Sequence, residues 1–206
     1  MAETVDVVVV GGGVVGCSVA YYLAREGARV HLLEREAIGS GGSAHATGFL
    51  SLLGSEFSPG PSFGLGLAGY HEFTDLVPRL EEETGIDLLC QRRPSLRLAL
   101  DEEEEELIKG LMAWQKRFVA IEWIDGDEVR RIEPRLTHRI RGAVYENESA
   151  QLDSYRLTLA LAQAAEQRGA QLQLREVTGL VNRDRRVIGV RTASEEIFCD
   201  TVVLAA

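Results

Sequence analysis

The chain has 206 residues, of which 45% are hydrophobic and 26% charged, and its formal net charge is −10. This composition is typical of a folded globular protein with one good core, or with one domain and part of another. The negative charge disfavours nucleic acids and anionic membrane surfaces as partners. No apolar run approaches the roughly 20 residues that a helix needs to span a bilayer.

The first stretch of the chain predicts a strand, a glycine-rich turn, a helix and a second strand. Residues 7–10 form a β-branched run that is typical of a strand buried on both faces of a parallel sheet. This run continues without a gap into the glycine-rich residues 11–16. Residues 17–26 then predict a helix that ends at Gly27, and residues 29–33 predict the second strand.

The glycines and the acidic residue of this stretch have the spacing of a dinucleotide-binding motif. Gly11 permits a tight turn, Gly13 has no Cβ to block a pyrophosphate, and Gly16 lets the helix pack close to the strand. The helix N-terminus offers N–H groups and a partial positive charge, which suit a diphosphate. Glu34 follows Gly11 by about the 20 positions expected for a carboxylate that binds ribose hydroxyls. A structural glycine turn without a ligand is the alternative.

A second segment rich in glycine and small residues covers residues 39–49. Its accessible backbone N–H groups and its serine and threonine hydroxyls can wrap a second part of a large dinucleotide. A flexible surface loop is the alternative interpretation.

The middle of the chain predicts helices that alternate with short strands. Residues 63–83 predict a helix that Pro78 should kink or break and that Gly85 ends. Asp101 is the predicted N-cap of a further helix. The acidic first turn of that helix, residues 102–106, predicts a solvated face rather than a metal site, and no metal cofactor is expected. The other predicted elements are strands at 86–90, 96–100, 121–124 and 141–146 and a helix at 125–132.

The last part of the chain predicts one helix and an antiparallel meander. Ser154 is the predicted cap of a helix over residues 155–168, which Gly169 ends. Residues 182–185 predict the turn of a hairpin. Short strands are predicted at 171–176, 177–181, 186–192, 196–199 and 201–205. Because the final run has the pattern of a buried strand, we expect the chain to be part of a longer protein.

The cysteines and the first residues bear on the cellular compartment. Cys17, Cys90 and Cys199 are few, odd in number and without metal-ligand spacing, so we expect reduced, packed cysteines. Residues 1–4 do not resemble a signal peptide, and the first predicted strand follows at once. A cytoplasmic location is therefore the expectation.

The arrangement resembles the flavin-dependent D-amino-acid oxidase superfamily, nearest to its glycine oxidase and sarcosine oxidase branch. Residues 7–16, followed by residues 20–24, resemble the family's N-terminal motif. Glu34 and Arg35 match its adenosine-ribose position. Residues 169–177 resemble the segment whose backbone meets adenine, and residues 201–206 resemble a later strand of the family.

The resemblance implies FAD as the cofactor and an α/β fold. A Rossmann-like FAD-binding domain with a parallel sheet and a β-meander would comprise residues 1–87 and 151–206, apparently truncated at the C-terminus. Residues 88–150 would form part of an α+β substrate domain inserted in the chain. The residues implied to contact the cofactor are Gly11, Gly13, Val14, Val15, Gly16, Glu34, Arg35, Gly42, Ser43, His45, Thr47, Gly48, Phe49 and Val177.

Two residues of the second glycine-rich segment have more than one interpretation. Phe49 either lies beside the flavin ring and shapes the pocket, or has an ordinary core role. His45 is a solvated loop residue, a hydrogen-bond donor to the flavin, or a covalent attachment point. A histidine in a similar loop carries covalent flavin in the dimethylglycine and sarcosine dehydrogenase branch, but Ala44 replaces the tryptophan that usually precedes it.

The reaction implied by the resemblance is oxidation of the C–N bond of an amino acid or secondary amine, of the glycine, sarcosine, proline or D-amino-acid type. Hydride would pass from the α-carbon to flavin N5, and water would hydrolyse the imine. The alternatives are another chemistry on the same fold, including an NAD-linked dehydrogenase, and a non-catalytic FAD-binding subunit that a partner chain completes. A homo-oligomer is compatible with either.

Overall fold

The structure, a computed structural model, describes residues 5–52 and 58–206. In chain order its strands and helices are β1 (Val5–Val10), α1 (Val14–Arg25), β2 (Val30–Glu34), α2 (Gly42–His45), β3 (Phe49–Leu50), α3 (Phe63–Thr84), β4 (Gln91–Arg92), β5 (Ser95–Ala99), α4 (Glu102–Gln115), β6 (Ile121–Asp125), α5 (Gly126–Ile132), β7 (Gly142–Glu146), β8 (Ala150–Gln151), α6 (Ser154–Gln167), β9 (Gln171–Leu174), β10 (Val177–Arg183), β11 (Arg186–Thr192) and β12 (Glu196–Leu204).

The described residues form two compact units. The first unit comprises residues 5–47, 77–88 and 153–206, and the second comprises residues 48–52, 58–76 and 89–152. Helix α3 contributes its N-terminal part to the second unit and its C-terminal part to the first. Among the helices in the described ranges, none combines the length and the apolar character needed to cross a membrane.

The first unit is built on a six-stranded sheet with the order β10-β11-β12-β1-β2-β9. Strands β12, β1, β2 and β9 are parallel, whereas β10, β11 and β12 form an antiparallel meander. The predicted parallel sheet with a β-meander is therefore confirmed. Val8 and Val9 are completely buried in the central strand β1, as expected for a strand covered on both faces.

Helices α1 and α6 pack against each other in the first unit. Small side chains at Ala20, Ala160 and Ala164 are completely buried and allow a close approach of the two helix backbones. Tyr21 is also fully buried on α1. A hydrophobic cluster of Val5, Val8, Leu33, Val190 and Cys199 stabilises the sheet.

Two local predictions for this unit need correction. The predicted separate strands at 196–199 and 201–205 form one strand, β12, which joins the meander to the parallel sheet. Asp153, rather than Ser154, caps α6, because its carboxylate accepts a hydrogen bond from the Arg156 N–H at 2.9 Å. The predicted hairpin at 182–185 is confirmed.

The second unit combines two three-stranded antiparallel sheets with helices α4 and α5. The sheet orders are β3-β8-β4 and β5-β7-β6. Asp101 caps α4 as predicted, since its carboxylate accepts from the Glu104 N–H at 2.9 Å. The main core cluster consists of Leu52, Ala99, Ile108, Met112, Val119, Ile121 and Val144. This mixture of helices and antiparallel strands agrees with the expected α+β character.

The structure differs from the sequence-based picture in the region after the second glycine-rich segment. Residues 86–90 do not form a strand, and Leu89 adopts a positive φ of 54°. Helix α3 continues through Pro78 rather than ending there, with buried Leu76 and Leu80 on either side of it. Residues 58–76 group with the second unit, whereas the sequence-based division places them in the first domain.

Candidate functional site

A cavity of about 610 Å³ lies in the first unit, at the carboxyl edge of the parallel strands. It is lined by the ends of β1 and β2 and by the residues that follow β9 and β12. Strand β1 pairs with β2 on one side and with β12 on the other, so the order of the strands reverses at β1. Open parallel sheets bind ligands at such switch points, and the volume falls within the range of roughly 300–1,000 Å³ found for ligand pockets.

The glycine turn between β1 and α1 forms one wall of the cavity. Gly11 has a φ of +112°, and a Cβ at this position would lie 2.6 Å from the Ala205 carbonyl oxygen. A Cβ at Gly16 would overlap the Gly11 carbonyl oxygen. Both positions therefore require glycine, the first for its backbone conformation and the second for the close packing of helix on turn.

Gly13 is the N-cap of α1 and brings no side chain to the start of the helix. It lines the cavity, and a Cβ here would meet only Ser43 Oγ, at 3.1 Å. The next amide, Val14 N–H, donates to Ser43 Oγ at 2.9 Å. The helix N-terminus thus presents its partial positive charge and a bare backbone to the cavity, which is the arrangement that suits a diphosphate.

Glu34 lies at the end of β2, and its carboxylate is fixed by two backbone N–H groups. Oε2 accepts from the Gly12 N–H at 2.7 Å, and Oε1 accepts from the Glu36 N–H at 2.9 Å. A carboxylate has about four acceptor positions, so both oxygens keep capacity for the hydroxyls of a ligand. Burial and, to a lesser extent, the charge of Glu34 together raise the pKa of the neighbouring Cys17 thiol to about 12.

Hydrogen bonds hold the second glycine-rich segment against other parts of the first unit. Gly39 N–H donates to the Gly12 carbonyl at 2.8 Å, and Ser43 Oγ accepts from Val14 as described above. Ser154 Oγ on α6 donates to the Ala46 carbonyl at 2.8 Å. These bonds argue against the alternative of a loosely attached surface loop, and they place the segment along the cavity wall.

The structure brings together about half of the residues expected to contact a cofactor. Those that line the cavity are Gly11, Gly13, Glu34, Arg35, Gly42, Ser43 and Val177. The Val14 N–H donates to the lining residue Ser43. The expected residues of the first unit that do not line the cavity are Val15, Gly16, His45 and Thr47. Gly48 and Phe49 belong to the second unit. The cofactor contacts of all these residues stay predictions.

Several lining residues were not identified from the sequence. Gly12 contributes its N–H to Glu34, and its place inside the glycine motif could have indicated this role. Arg175 lines the cavity after β9, and its N–H donates to the Glu34 carbonyl at 2.6 Å. Ala205 and Ala206 follow β12. Arg175 lies within the segment 169–177 that resembles the family's adenine-contacting segment, and the two alanines lie within the strand-like run 201–206, but only the pairing of distant strands brings these residues to the cavity.

The fold and the cavity together define an α/β unit of the dinucleotide-binding class. Residues 6–206 match the family model DAO, described as FAD dependent oxidoreductase, and the chain belongs to this family.

The chain is similar to several characterised proteins. It is 35% identical to glycine oxidase of Geobacillus kaustophilus (strain HTA426) over 173 aligned residues. The alignment covers 82% of this chain and 46% of that protein. The crystal structure of glycine oxidase from Geobacillus kaustophilus matches with a TM-score of 0.88 at 32% identity, covering 100% of this chain and 56% of that one.

A third similarity is to a protein named as a subunit. Hydrogen cyanide synthase subunit HcnC of Pseudomonas aeruginosa is 28% identical over 243 aligned residues, which cover 100% of this chain and 58% of that protein. The chain spans about half the length of the glycine oxidase and HcnC relatives that it matches.

Proposed function

We propose that the chain binds FAD in the cavity of the first unit and is the FAD-binding part of an oxidoreductase that oxidises the C–N bond of an amino acid or secondary amine. In this proposal the diphosphate lies over the N-terminus of α1 and the adenosine ribose lies at Glu34. Family membership and the glycine oxidase relatives support the choice of FAD and of an amine substrate.

The observation that carries the proposal is the geometry of Glu34 relative to Gly13. Both residues line one cavity, and two backbone N–H groups of the chain itself hold the carboxylate in place. Such preorganisation removes the cost of ordering the acceptor during binding. The second glycine-rich segment supplies Gly42 and Ser43 to the same cavity. This second contribution favours a large dinucleotide such as FAD over a structural glycine turn without a ligand.

The residues of this chain would bind and orient the reactants. When bound, FAD would supply the acceptor for the hydride that leaves the substrate carbon. By the family resemblance, Thr47, Gly48 and Phe49 are assigned to the isoalloxazine, with Phe49 shaping the pocket beside it. We assign residues 88–150 to part of the substrate domain.

A covalent bond between His45 and the flavin is the alternative mode of attachment. His45 ends the short helix α2 and is exposed. Ser43, two positions earlier, contacts the start of α1. Acid precipitation of the FAD-loaded protein distinguishes the two modes. Flavin in the pellet establishes the covalent bond, whereas flavin entirely in the supernatant rules it out.

The function is tested by anaerobic addition of glycine, sarcosine, proline and D-amino acids to the FAD-loaded protein. Bleaching of the flavin absorption bands by one of these compounds supports the proposed reaction class and identifies the substrate type. Bound flavin that none of the amines or amino acids bleaches argues against it.

A second candidate is a non-catalytic FAD-binding subunit that a partner chain completes. The similarity to a protein named hydrogen cyanide synthase subunit favours this candidate. It predicts stable flavin bands that no substrate bleaches until a partner chain is added. Bleaching by the purified chain alone would exclude it.

A further inference from the structure

The link between β9 and β10 closes one end of the cavity in the first unit. It consists of Arg175 and Glu176, and both residues line the cavity together with Val177, the first residue of β10. Strands β9 and β10 lie at opposite ends of the six-stranded order. Because the chain from Leu174 to Val177 spans at most about 11 Å, the two ends of the sheet must approach each other here. The cavity therefore lies where the sheet curls towards itself.

The order of the strands places this link next to the proposed ribose site. Strand β2 lies between β1 and β9, and neighbouring strands are roughly 4.8 Å apart. The proposed function assigns the diphosphate to the N-terminus of α1, directly after β1, and the ribose to Glu34 at the end of β2. Because the base and the diphosphate leave a ribose on opposite sides, the base would continue towards the end of β9. There Glu34 pairs with Leu174, and the Arg175 N–H donates to the Glu34 carbonyl at 2.6 Å.

The side chain of Arg175 is held by Glu195, which is not among the residues that line the cavity. The Nη1 atom of Arg175 is buried without a hydrogen bond to the described residues, and it forms an ion pair with Glu195 Oε1. Glu195 ends the turn between β11 and β12, which covers residues 193–195. Thr192 fixes this turn, because its N–H and its hydroxyl both donate to the Glu195 carbonyl, at 2.9 and 3.0 Å. The turn thus presents an acidic side chain to the link between β9 and β10.

We propose that Arg175, held by Glu195, is a positioning residue that fixes the wall of the adenosine site and so raises the affinity for an adenine dinucleotide. The N–H of Arg175 attaches this wall to β2, and its side chain attaches it to the turn between β11 and β12. A wall that is fixed in advance removes the cost of ordering it during binding. This inference rests on the proposed function, because that function assigns the ribose to Glu34. All the residues that carry it belong to the first unit.

The sign of the effect of Glu195→Gln separates positioning from simple electrostatics. FAD carries a negatively charged diphosphate, so removal of a negative charge near the cavity should, by Coulomb attraction alone, strengthen its binding. If Glu195 acts by holding Arg175, the same substitution should weaken binding. Glu196→Gln is the matched control, because it makes the same charge change at the next residue, whose ion-pair partner is the exposed Arg191.

The measurement is a titration of the wild type and the variants with FAD, ADP and inorganic pyrophosphate. We expect Glu195→Gln to raise the Kd for FAD and for ADP by about two- to fivefold, the effect of losing a partly exposed ion pair. The Kd for pyrophosphate, which lacks the adenosine, should not rise. Glu195→Gln should cause no further rise in an Arg175→Ala background, because the carboxylate acts through Arg175. Glu196→Gln should leave all three values unchanged.

Three results would overturn the positioning role of Arg175. The first is an unchanged or lower Kd for FAD in Glu195→Gln. The second is an equal rise for all three ligands, which general damage to the cavity would cause and which urea denaturation of the same variant would reveal. The third is a full further rise in the Arg175→Ala background. A wild-type protein that binds neither FAD nor ADP would instead overturn the proposed function, so the two failures are distinguishable.

Discussion

Replacement of Gly13 by alanine should weaken the binding of FAD while leaving the fold intact. Gly13 has a φ of −77° and a ψ of 179°, which alanine adopts without strain. The added methyl group meets only Ser43 Oγ, at 3.1 Å, so a shift of that flexible side chain accommodates it. Because alanine is a poorer N-cap than glycine, we expect the free energy of unfolding to fall by at most about 1 kcal/mol.

The same methyl group occupies the place where the diphosphate is proposed to approach the backbone. Loss of one hydrogen bond between an amide N–H and a charged phosphate oxygen costs about 1.5–3 kcal/mol, and 1.4 kcal/mol corresponds to about tenfold in affinity. We therefore expect Gly13→Ala to raise the Kd for FAD by at least about tenfold. Titration of the purified protein with FAD, followed by flavin fluorescence, measures this change.

Two further glycine variants provide the controls. Gly16→Ala places a methyl group on the Gly11 carbonyl oxygen, and it should lower the free energy of unfolding by about 1–3 kcal/mol or more. Gly110→Ala, in the exposed part of α4 with no neighbour within 4 Å, should raise it by about 0.5–1 kcal/mol and leave the Kd for FAD unchanged. A folded Gly13→Ala protein with wild-type affinity for FAD would refute the assignment of the diphosphate to α1.

Four other predictions concern Glu34, Ser43 and the cysteines. Glu34→Gln leaves one oxygen for two N–H groups, so the Kd for FAD should rise about tenfold; an unchanged Kd in the same titration would argue against the ribose role. Ser43→Ala removes the acceptor for the Val14 N–H, and urea denaturation should show a loss of about 1 kcal/mol, which an unshifted curve would contradict. Because burial raises the pKa of Cys17 from 9.0 to about 12, iodoacetamide should alkylate exposed Cys90 and spare Cys17. Below pH 9 the contribution of the protonated Cys17 thiol to the free energy of unfolding is complete, and it should be lost as the pH rises towards 12. Urea denaturation should show this loss in the wild type and not in Cys17→Ala.

The N-terminal part of the fold was predictable because its signals are local. The β-branched run, the glycine turn and Glu34 lie within one short stretch, and each has a direct physical requirement. The structure provides the turn at Gly11, the close approach at Gly16 and the cavity beside Glu34. The same holds for the hairpin turn, where Asp184 and Arg185 adopt positive φ angles of 50° and 63°.

The errors occur where tertiary contacts decide between similar local choices. Asp153 and Ser154 are both good capping residues, but the Ser154 hydroxyl donates to the Ala46 carbonyl, so the carboxylate of Asp153 caps the helix. Residues 86–90 are apolar enough for a strand, yet the Leu88 carbonyl accepts from Asp153 N–H and Leu89 leaves the extended region. Neither outcome is encoded in the neighbouring residues.

The cavity residues that the sequence did not reveal are placed by strand order. Arg175 reaches the site because β9 pairs with β2, and Ala205 reaches it because β12 pairs with β1. These pairings join residues that are far apart in the chain, and no periodicity within either strand specifies its neighbour.

Retention of FAD by the purified protein shows directly whether the cavity of the first unit binds the cofactor. The protein is incubated with FAD, separated from free flavin by gel filtration, and examined by absorption spectroscopy. Flavin bands should elute with the protein in stoichiometric amount, and they should be greatly reduced in the folded Gly13→Ala variant. Elution of all the flavin in the small-molecule fractions of the wild-type protein would show that this cavity does not bind FAD.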